Sequence, residues 1–459
     1  MEFINLSLYI GVVYVVPVLT MLGLGLALPL LLVFLYNQFH WGLIAIALAF
    51  IADAITLGEP FLHVGVNLFY PDVLLGPIMG VAVLRLLLAP DAPRLNKAWL
   101  VFCITVGIST VTGLAQFGAG AGVQARGYFY FVAATLYGAS FEINAARIQQ
   151  IIRTLVWTAL TLMALAVYRW IVYYAPISAL LPPGGSYNVD GAIRVIYANH
   201  AIVLAEVLIA GLFFTGISQS LQLAQLCAPL LLGMVLALQH RSVWLATLVG
   251  MGSRFVVVRT RTTSILQQLC LIAGIALVTS VPLVFSDKLG DVTQQIGQSA
   301  GGALRGEGTV REQLASWQEI ISIWSHKGPR EIAFGESFGA DNTRSVQDEH
   351  GYWKKINYIA HNLFVQNLYN TGAIGFLAYL LANIHVLRGL YQRARQPDGD
   401  LQAAFLMVLM LMQLAYYIPY GVDFLQGVVF GAALAYLARP ANAPVALPDA
   451  RLPAVGALA

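Results

Sequence analysis

Three arginines and one histidine stand where an apolar chain has least reason to carry them. Arg126, Arg194 and Arg241 each precede a hydrophobic run, the last within "ALQHRSVWLATLVG". Guanidinium is well matched to phosphate oxygens, because its planar fork donates in pairs and keeps its proton. At a helix N-terminus it adds to unpaired amides and the positive end of the dipole, so such a position favours an anion. For Arg241 the alternative is a structural pair with Glu206 or Asp423. Arg194 follows the loop "PPGGSYNVDG" and precedes Asn199 and His200, expected in the same helix. Arg126 precedes Tyr128, Phe129 and Tyr130, which read equally well as an interfacial aromatic belt.

His361 opens "HNLFVQNLYNTGAIG", in which Asn362, Gln366 and Asn370 recur every four residues beside Asn367. A neutral imidazole near pH 7 accepts a proton, as a general base must, although a lone His at a helix start is also an ordinary interfacial residue. No HExxH, Asp-rich metal motif, P-loop or nucleophile elbow occurs. Cys103, Cys227 and Cys270 lie apart inside apolar runs and offer neither zinc spacing nor a disulfide framework. The chemistry these residues allow is a group transfer that uses no metal and no nucleotide.

The elements that must hold them are membrane helices. Of 459 residues, 59% are hydrophobic and 10% charged, against about 25% charged in a soluble domain. That excludes a soluble enzyme and a disordered chain, and specifies an all-α polytopic membrane protein. A net charge of +3 with no long run of like charges does not suit nucleic acid. Runs long enough to cross a bilayer fall at about 41–57, 70–89, 98–117, 128–141, 151–174, 193–216, 220–238, 242–259, 264–285, 361–387, 401–418 and 421–438. The further stretch Leu6 to Tyr36, interrupted by Gly23, Gly25 and Pro29, reads as a tilted span, two short helices or a broken segment, so twelve to fourteen spans are expected. It lacks the basic flank and A-x-A site of a signal peptide and reads as a retained helix.

Lys and Arg accumulate in short loops at Arg85/Arg94/Lys97, Arg147/Arg153, Arg254/Arg259/Arg261 and Arg388/Arg393/Arg395, which the positive-inside rule makes cytoplasmic. The predicted spans alternate between these loops. Arg126, Arg194, Arg241 and His361 then lie on the opposite face, each at the start of an inward-running helix. The division is an N-terminal bundle over 1–285, a large loop over 286–360, a C-terminal bundle over 361–438 and a cytoplasmic tail from 439 to 459. The loop carries eight Lys and Arg and ten Asp and Glu, which marks a folded extramembrane element. Within it, Thr309 and Glu312 have capping-box spacing, and Val310, Leu314, Trp317, Ile320, Ile321 and Trp324 recur at helical intervals. This reads as an amphipathic helix, either lying on the membrane with Trp317 and Trp324 at headgroup depth or packing within the loop. The glycine-rich stretch Ser299 to Gly308 before it is expected to be mobile.

The order of these pieces resembles the O-antigen ligase and polymerase family of bacterial inner membranes. A helix "REQLASWQEII" with Arg311 and Trp317 leads through "AFGESFGA", with Gly335 and Gly339, to His361, Asn362, Gly372 and Gly375, while "HRSVWLA" matches the family's arginine hairpin at Arg241. The resemblance covers roughly Arg194 to Leu387 and is closest to the ligase. It implies a GT-C-like membrane glycosyltransferase of the Gram-negative inner membrane, with one long periplasmic loop and no cofactor. Its donor would be an undecaprenyl diphosphate-linked glycan and its acceptor lipid A-core. On the family pattern His361 is the general base and Arg241, with Arg194, holds the diphosphate; Arg126, Arg311, Asn362 and Gln366 are further substrate-binding candidates, and no metal is expected. An O-antigen polymerase, a protein O-oligosaccharyltransferase and a transporter are the alternatives. A transporter fits less well, because the polar residues gather at one face and no internal repeat appears.

Overall fold

The computed structural model describes residues 29–63, 67–174, 187–189, 192–257, 309–347, 352–357, 359–396 and 399–439. It is almost wholly helical. The helices are α1 (Phe39–Thr56), α2 (Tyr70–Leu88), α3 (Lys97–Phe117), α4 (Ala119–Ala139), α5 (Ala145–Tyr174), α6 (Ala198–Phe213), α7 (Gln219–Leu226), α8 (Ala228–Ala237) and α9 (Arg241–Val257). Then come α10 (Thr309–Ser325), α11 (Pro329–Phe334), α12 (Leu363–Ala394), α13 (Leu401–Tyr416) and α14 (Phe424–Ala438). Three antiparallel hairpins join them: β1–β2 (Leu62–His63, Asn67–Leu68), β3–β4 (Tyr187–Val189, Ala192–Arg194) and β5–β6 (Arg344–Gln347, Trp353–Ile356).

Each predicted span that is described contains helix, although 220–238 is broken into α7 and α8 and 193–216 begins with β4; 258–259, 264–285, and Leu6 to Tyr36 up to residue 28, lie outside the described residues. Among the described residues α1, α2, α3, α5 and α12 are long and apolar enough to cross a membrane, and α7 with α8, bent by 59°, would make a sixth. The helices α6, α13 and α14 are apolar but shorter. At about 1.5 Å per residue they fall short of a hydrocarbon core roughly 30 Å thick. Side chains on Asn96, Asn362, Asp400 and Asp423 accept from the first amides of α3, α12, α13 and α14, which is why those helices begin where they do.

Small residues let the helices approach closely. Gly427 and Gly431, four apart on α14, face α4 so tightly that an added Cβ would lie 2.7 Å from the Phe131 carbonyl oxygen and 2.1 Å from that of Thr135. The basic loops predicted from sequence come together at one end of the bundle. There Arg85 pairs with Asp91 at 3.0 Å, Arg439 pairs with Glu142 at 3.0 Å, and Arg393 donates to the Tyr436 carbonyl at 2.9 Å. Arg85 is no loop charge: it lies within α2, buried, donating to the carbonyls of Tyr36 and Ser140 with its guanidinium 3.7 Å from the Phe141 ring centroid.

The large loop folds onto the opposite end. Residues 335–339 insert between α3, α4 and α12: the Phe338 amide donates to Ser109 Oγ, the Gly339 amide to Gln124 Oε1, and Ser337 Oγ lies 2.7 Å from Thr112 Oγ1. Phe338 is fully buried against Tyr128. Trp317 and Trp324 do not project outward. With Ile320 they pack on Ala360, Val365 and Tyr369, so the amphipathic helix uses its aromatic face within the loop, leaving Leu314 and Ile321 exposed. The capping-box side chain of Thr309, and the stretch Ser299 to Gly308, lie outside what is described.

Two motif glycines fix the loop to α12. Gly372 interrupts α12 at φ 64°, ψ −172°, and Gly335 ends α11 at φ 81°, ψ 173°. Both are in a region open to glycine alone. A Cβ on Gly372 would lie 2.4 Å from the Ala333 oxygen and the Gly335 nitrogen. Gly372→Ala is therefore expected to destabilise the fold by about 1–3 kcal/mol. It should lower the melting temperature of the detergent-solubilised protein, whereas Gly107→Ala, inside α3 with no atom within 4 Å of the added carbon, should not lower it.

Candidate active site

The turn between α8 and α9 organises the arginine end. Gln239 adopts φ 50° and His240 follows it, so that α9 opens at Arg241. His240 is buried with Nε2 3.0 Å from the Ile196 carbonyl. Burial, reinforced by the Arg194 charge, lowers its pKa to about 3, so it stays neutral. Arg194 Nη2 donates to the Gln239 carbonyl at 3.1 Å, which lays Arg194 beside the turn that begins α9. Arg194 is not in a helix as expected; it ends β4, and α6 starts only at Ala198. The hairpin takes up the residues that hydropathy alone assigned to the span.

A second buried arginine holds this segment. Arg169 of α5 is 5% exposed and donates to the carbonyls of Val195 and Ile55, each at 2.8 Å. It ties the residue after the Arg194 strand to the end of α1.

His361 reaches the same place from the other bundle. Asn362 caps α12 through Phe364 and Val365, and the Leu363 amide donates to the carbonyls of Tyr417 and Tyr420 at 3.0 and 2.9 Å. That docks the start of α12 on the turn between α13 and α14. The Tyr420 ring lies 6.1 Å from His361 and stacks on Tyr416 at 5.1 Å. Tyr420 also lies beside Ser242, the residue after Arg241, and feels the Arg194 charge. Arg194, the Arg241 turn, Tyr420 and His361 thus form one continuous set of contacts.

His361 presents an edge to the surface, yet surrounding protein atoms strip part of its hydration, and the Arg344 guanidinium adds like-charge repulsion. Both hold its pKa below the ordinary value of 6.5. Arg344 was not singled out from sequence, where it is one charge among many in the loop. It is 2% exposed in β5, donating to Ser316 Oγ at 2.7 Å and to the Asn342 carbonyl at 3.0 Å.

The other sequence candidates are placed differently. Arg126 does not begin a helix; it lies inside α4, paired with Asp72 at 3.2 Å, donating to the Asn67 carbonyl and lying 4.4 Å from the Phe69 ring centroid. Asp72 also accepts from Tyr130, so the arginine belongs to a structural cluster. Of the acidic residues considered for Arg241, Glu206 accepts from Gln413 and Asp423 from Asn199. The Asn362 side-chain oxygen is used in its cap. Gln366, Asn367 and Asn370 line the buried face of α12, and the Asn367 carboxamide has no partner among the described residues. Arg311 is exposed on α10, whose Glu312 pairs with Lys354 at 2.8 Å; Glu307, its suggested partner, is outside the described residues. Among the described residues no three His, Cys, Asp or Glu side chains come together as metal ligands.

Residues 226–380 match the family model of the O-antigen ligase. The match spans the Arg241 turn, α10, the inserted glycine loop and His361 with the start of α12, while Arg126 and Arg194 lie before it. No curated protein matches the chain. The family match, over about a third of the chain, supports a general transferase activity of the ligase and polymerase kind.

Replacing Arg169 by Met leaves two buried carbonyls without donors, and hydrogen bonds to charged groups contribute about 1.5–3 kcal/mol each. The variant is expected to melt several degrees lower and to be cut faster by protease near residues 187–197 in a time course against the parent chain.

Proposed function

We propose that the protein transfers a polysaccharide from an undecaprenyl diphosphate carrier to a sugar hydroxyl of lipid A-core, with its site on the periplasmic face of the inner membrane. The observation that carries this reading is the chain of contacts from Arg194 through the Arg241 turn and Tyr420 to His361. It supports a reading in which two cations suited to phosphate serve the same site as one neutral imidazole.

In this scheme Arg241 and Arg194 hold the diphosphate oxygens and stabilise the charge that grows there as the bond from the anomeric carbon to phosphate breaks. The acceptor hydroxyl oxygen attacks the anomeric carbon in line, and His361 takes its proton. The carrier diphosphate leaves with the bonding electrons. One displacement without a covalent enzyme intermediate inverts the anomeric centre. The depressed pKa of His361 suits the role, since the imidazole is unprotonated at neutral pH.

His361→Ala is expected to reduce transfer at least a hundredfold, in keeping with the contribution of about 10²–10⁴ from a positioned base, with membrane levels unchanged. Near-normal transfer would remove the base from the scheme. Activity of the parent enzyme should fall only as pH drops through the lowered imidazole pKa, below 6.5. In Arg344→Gln the repulsion is gone, the pKa of His361 rises and the acid limb moves to higher pH. Arg241→Lys keeps a charge but loses the fork; full activity in that variant would show that charge alone suffices.

A polymerase is the second reading, favoured by the same family match. In vitro transfer with purified protein, carrier-linked glycan and lipid A-core separates the two by product. Polymer on lipid A-core is expected; lengthened glycan still on the carrier would establish polymerisation instead.

A further inference from the structure

A groove of about 530 Å³ opens between α1 and α5 at the end of the bundle opposite His361. His40, the second residue of α1, and Arg153, in the third turn of α5, lie in its wall. This is the end where Arg85, Arg439 and Arg393 also gather, and it is the cytoplasmic end if the positive-inside rule holds for this chain. Farther along, Leu48 and Trp157 line the groove with more than half of their surface exposed, as suits contact with acyl chains.

The lining is not purely apolar. Gln150, Thr154 and Thr158 recur every four residues on the α5 side. The Gln150 Oε1 is buried and has no hydrogen-bond donor among the described residues. A bare hydrocarbon chain would leave that oxygen unsatisfied and Arg153 without an anion. A phospholipid headgroup that combines a phosphate with hydroxyl donors answers both needs, and basic pockets between membrane helices on the cytoplasmic side are known to select anionic headgroups.

We propose that this groove binds one anionic phospholipid, its phosphate against Arg153 and His40, a headgroup hydroxyl toward Gln150, and an acyl chain along Leu48 and Trp157. The site is separate from the arginine end and independent of the transfer reaction proposed above.

The test is native mass spectrometry of the full chain released from nanodiscs holding equal phosphatidylglycerol and phosphatidylcholine. Retention of one phosphatidylglycerol per chain in preference to phosphatidylcholine is expected. Arg153→Gln should retain about fivefold less of it, the effect of one basic residue at a membrane surface, and Arg153→Lys should retain it like the parent. Equal retention of both lipids, or no loss in Arg153→Gln, would overturn the proposal. In the same nanodiscs, benzoylphenylalanine at position 48 should photo-crosslink to phospholipid. An adduct to residues 1–28 would show that the chain fills its own groove, and would likewise overturn it.

Discussion

The docking of the start of α12 is the interaction on which the site depends. A helix entering a bilayer must satisfy its first amides before it reaches hydrocarbon, because no water is there to do it. Here Asn362 supplies an oxygen to two of them, and the Leu363 amide is taken by two carbonyls of the α13–α14 turn. One turn of backbone thereby joins α12 to the last helical pair and sets His361 beside Tyr420. The same helix is broken at Gly372, where the end of α11 lies against the exposed backbone and the Glu336 amide donates to the Tyr369 carbonyl at 2.7 Å. The loop is thus tied to the short helical segment between His361 and the break, so its fold and the position of the histidine are not separable.

The arginines divide by what satisfies them. Arg85 and Arg169 are buried and donate to main-chain carbonyls, Arg85 also pairing with Asp91, and Arg126 is neutralised by Asp72. A charge at membrane depth is costly unless paired or solvated, and these three are handled as structural clamps. Arg194 gives a donor to Gln239 yet remains half-buried beside the turn that opens α9. The distinction between clamp and site candidate is one of geometry, and residue type alone does not contain it.

Much of the organisation was readable from sequence because it rests on hydropathy and charge sign. Helix positions, the gathering of basic loops at one end and the opening of α9 at Arg241 all follow from local pattern. So does the buried polar face of Asn362, Gln366 and Asn370, where a four-residue repeat meets one helix. What failed depended on pairings that hydropathy does not register. Arg194 looked like a helix start until the β3–β4 hairpin took it, and Arg126 looked displaced until Asp72, far away in the chain, neutralised it. For Trp317 and Trp324 the pattern left headgroup depth and packing within the loop open, because aromatic residues suit both an interface and a core, and Val365 and Tyr369 on α12 decide for the second. Arg344 had no pattern at all; its meaning comes from Ser316 on one side and His361 on the other.

The Arg344 charge links the loop to the proposed chemistry. The hairpin β5–β6 holds Arg344 rigidly, since its donors reach α10 and the adjoining turn, and the guanidinium lowers the proton affinity of His361 from that fixed position. Coulomb energy falls with distance and with the polarity of the intervening medium, so a loop that packed less closely would return the imidazole toward its ordinary value. The buried contact of α10 with Tyr369, the Tyr369 hydroxyl donating to the Asp341 carbonyl at 3.1 Å, and the glycine junction below it all act to prevent that loosening. If His361 takes the acceptor proton, its readiness to do so is a property of the loop's packing as much as of the helix that carries it.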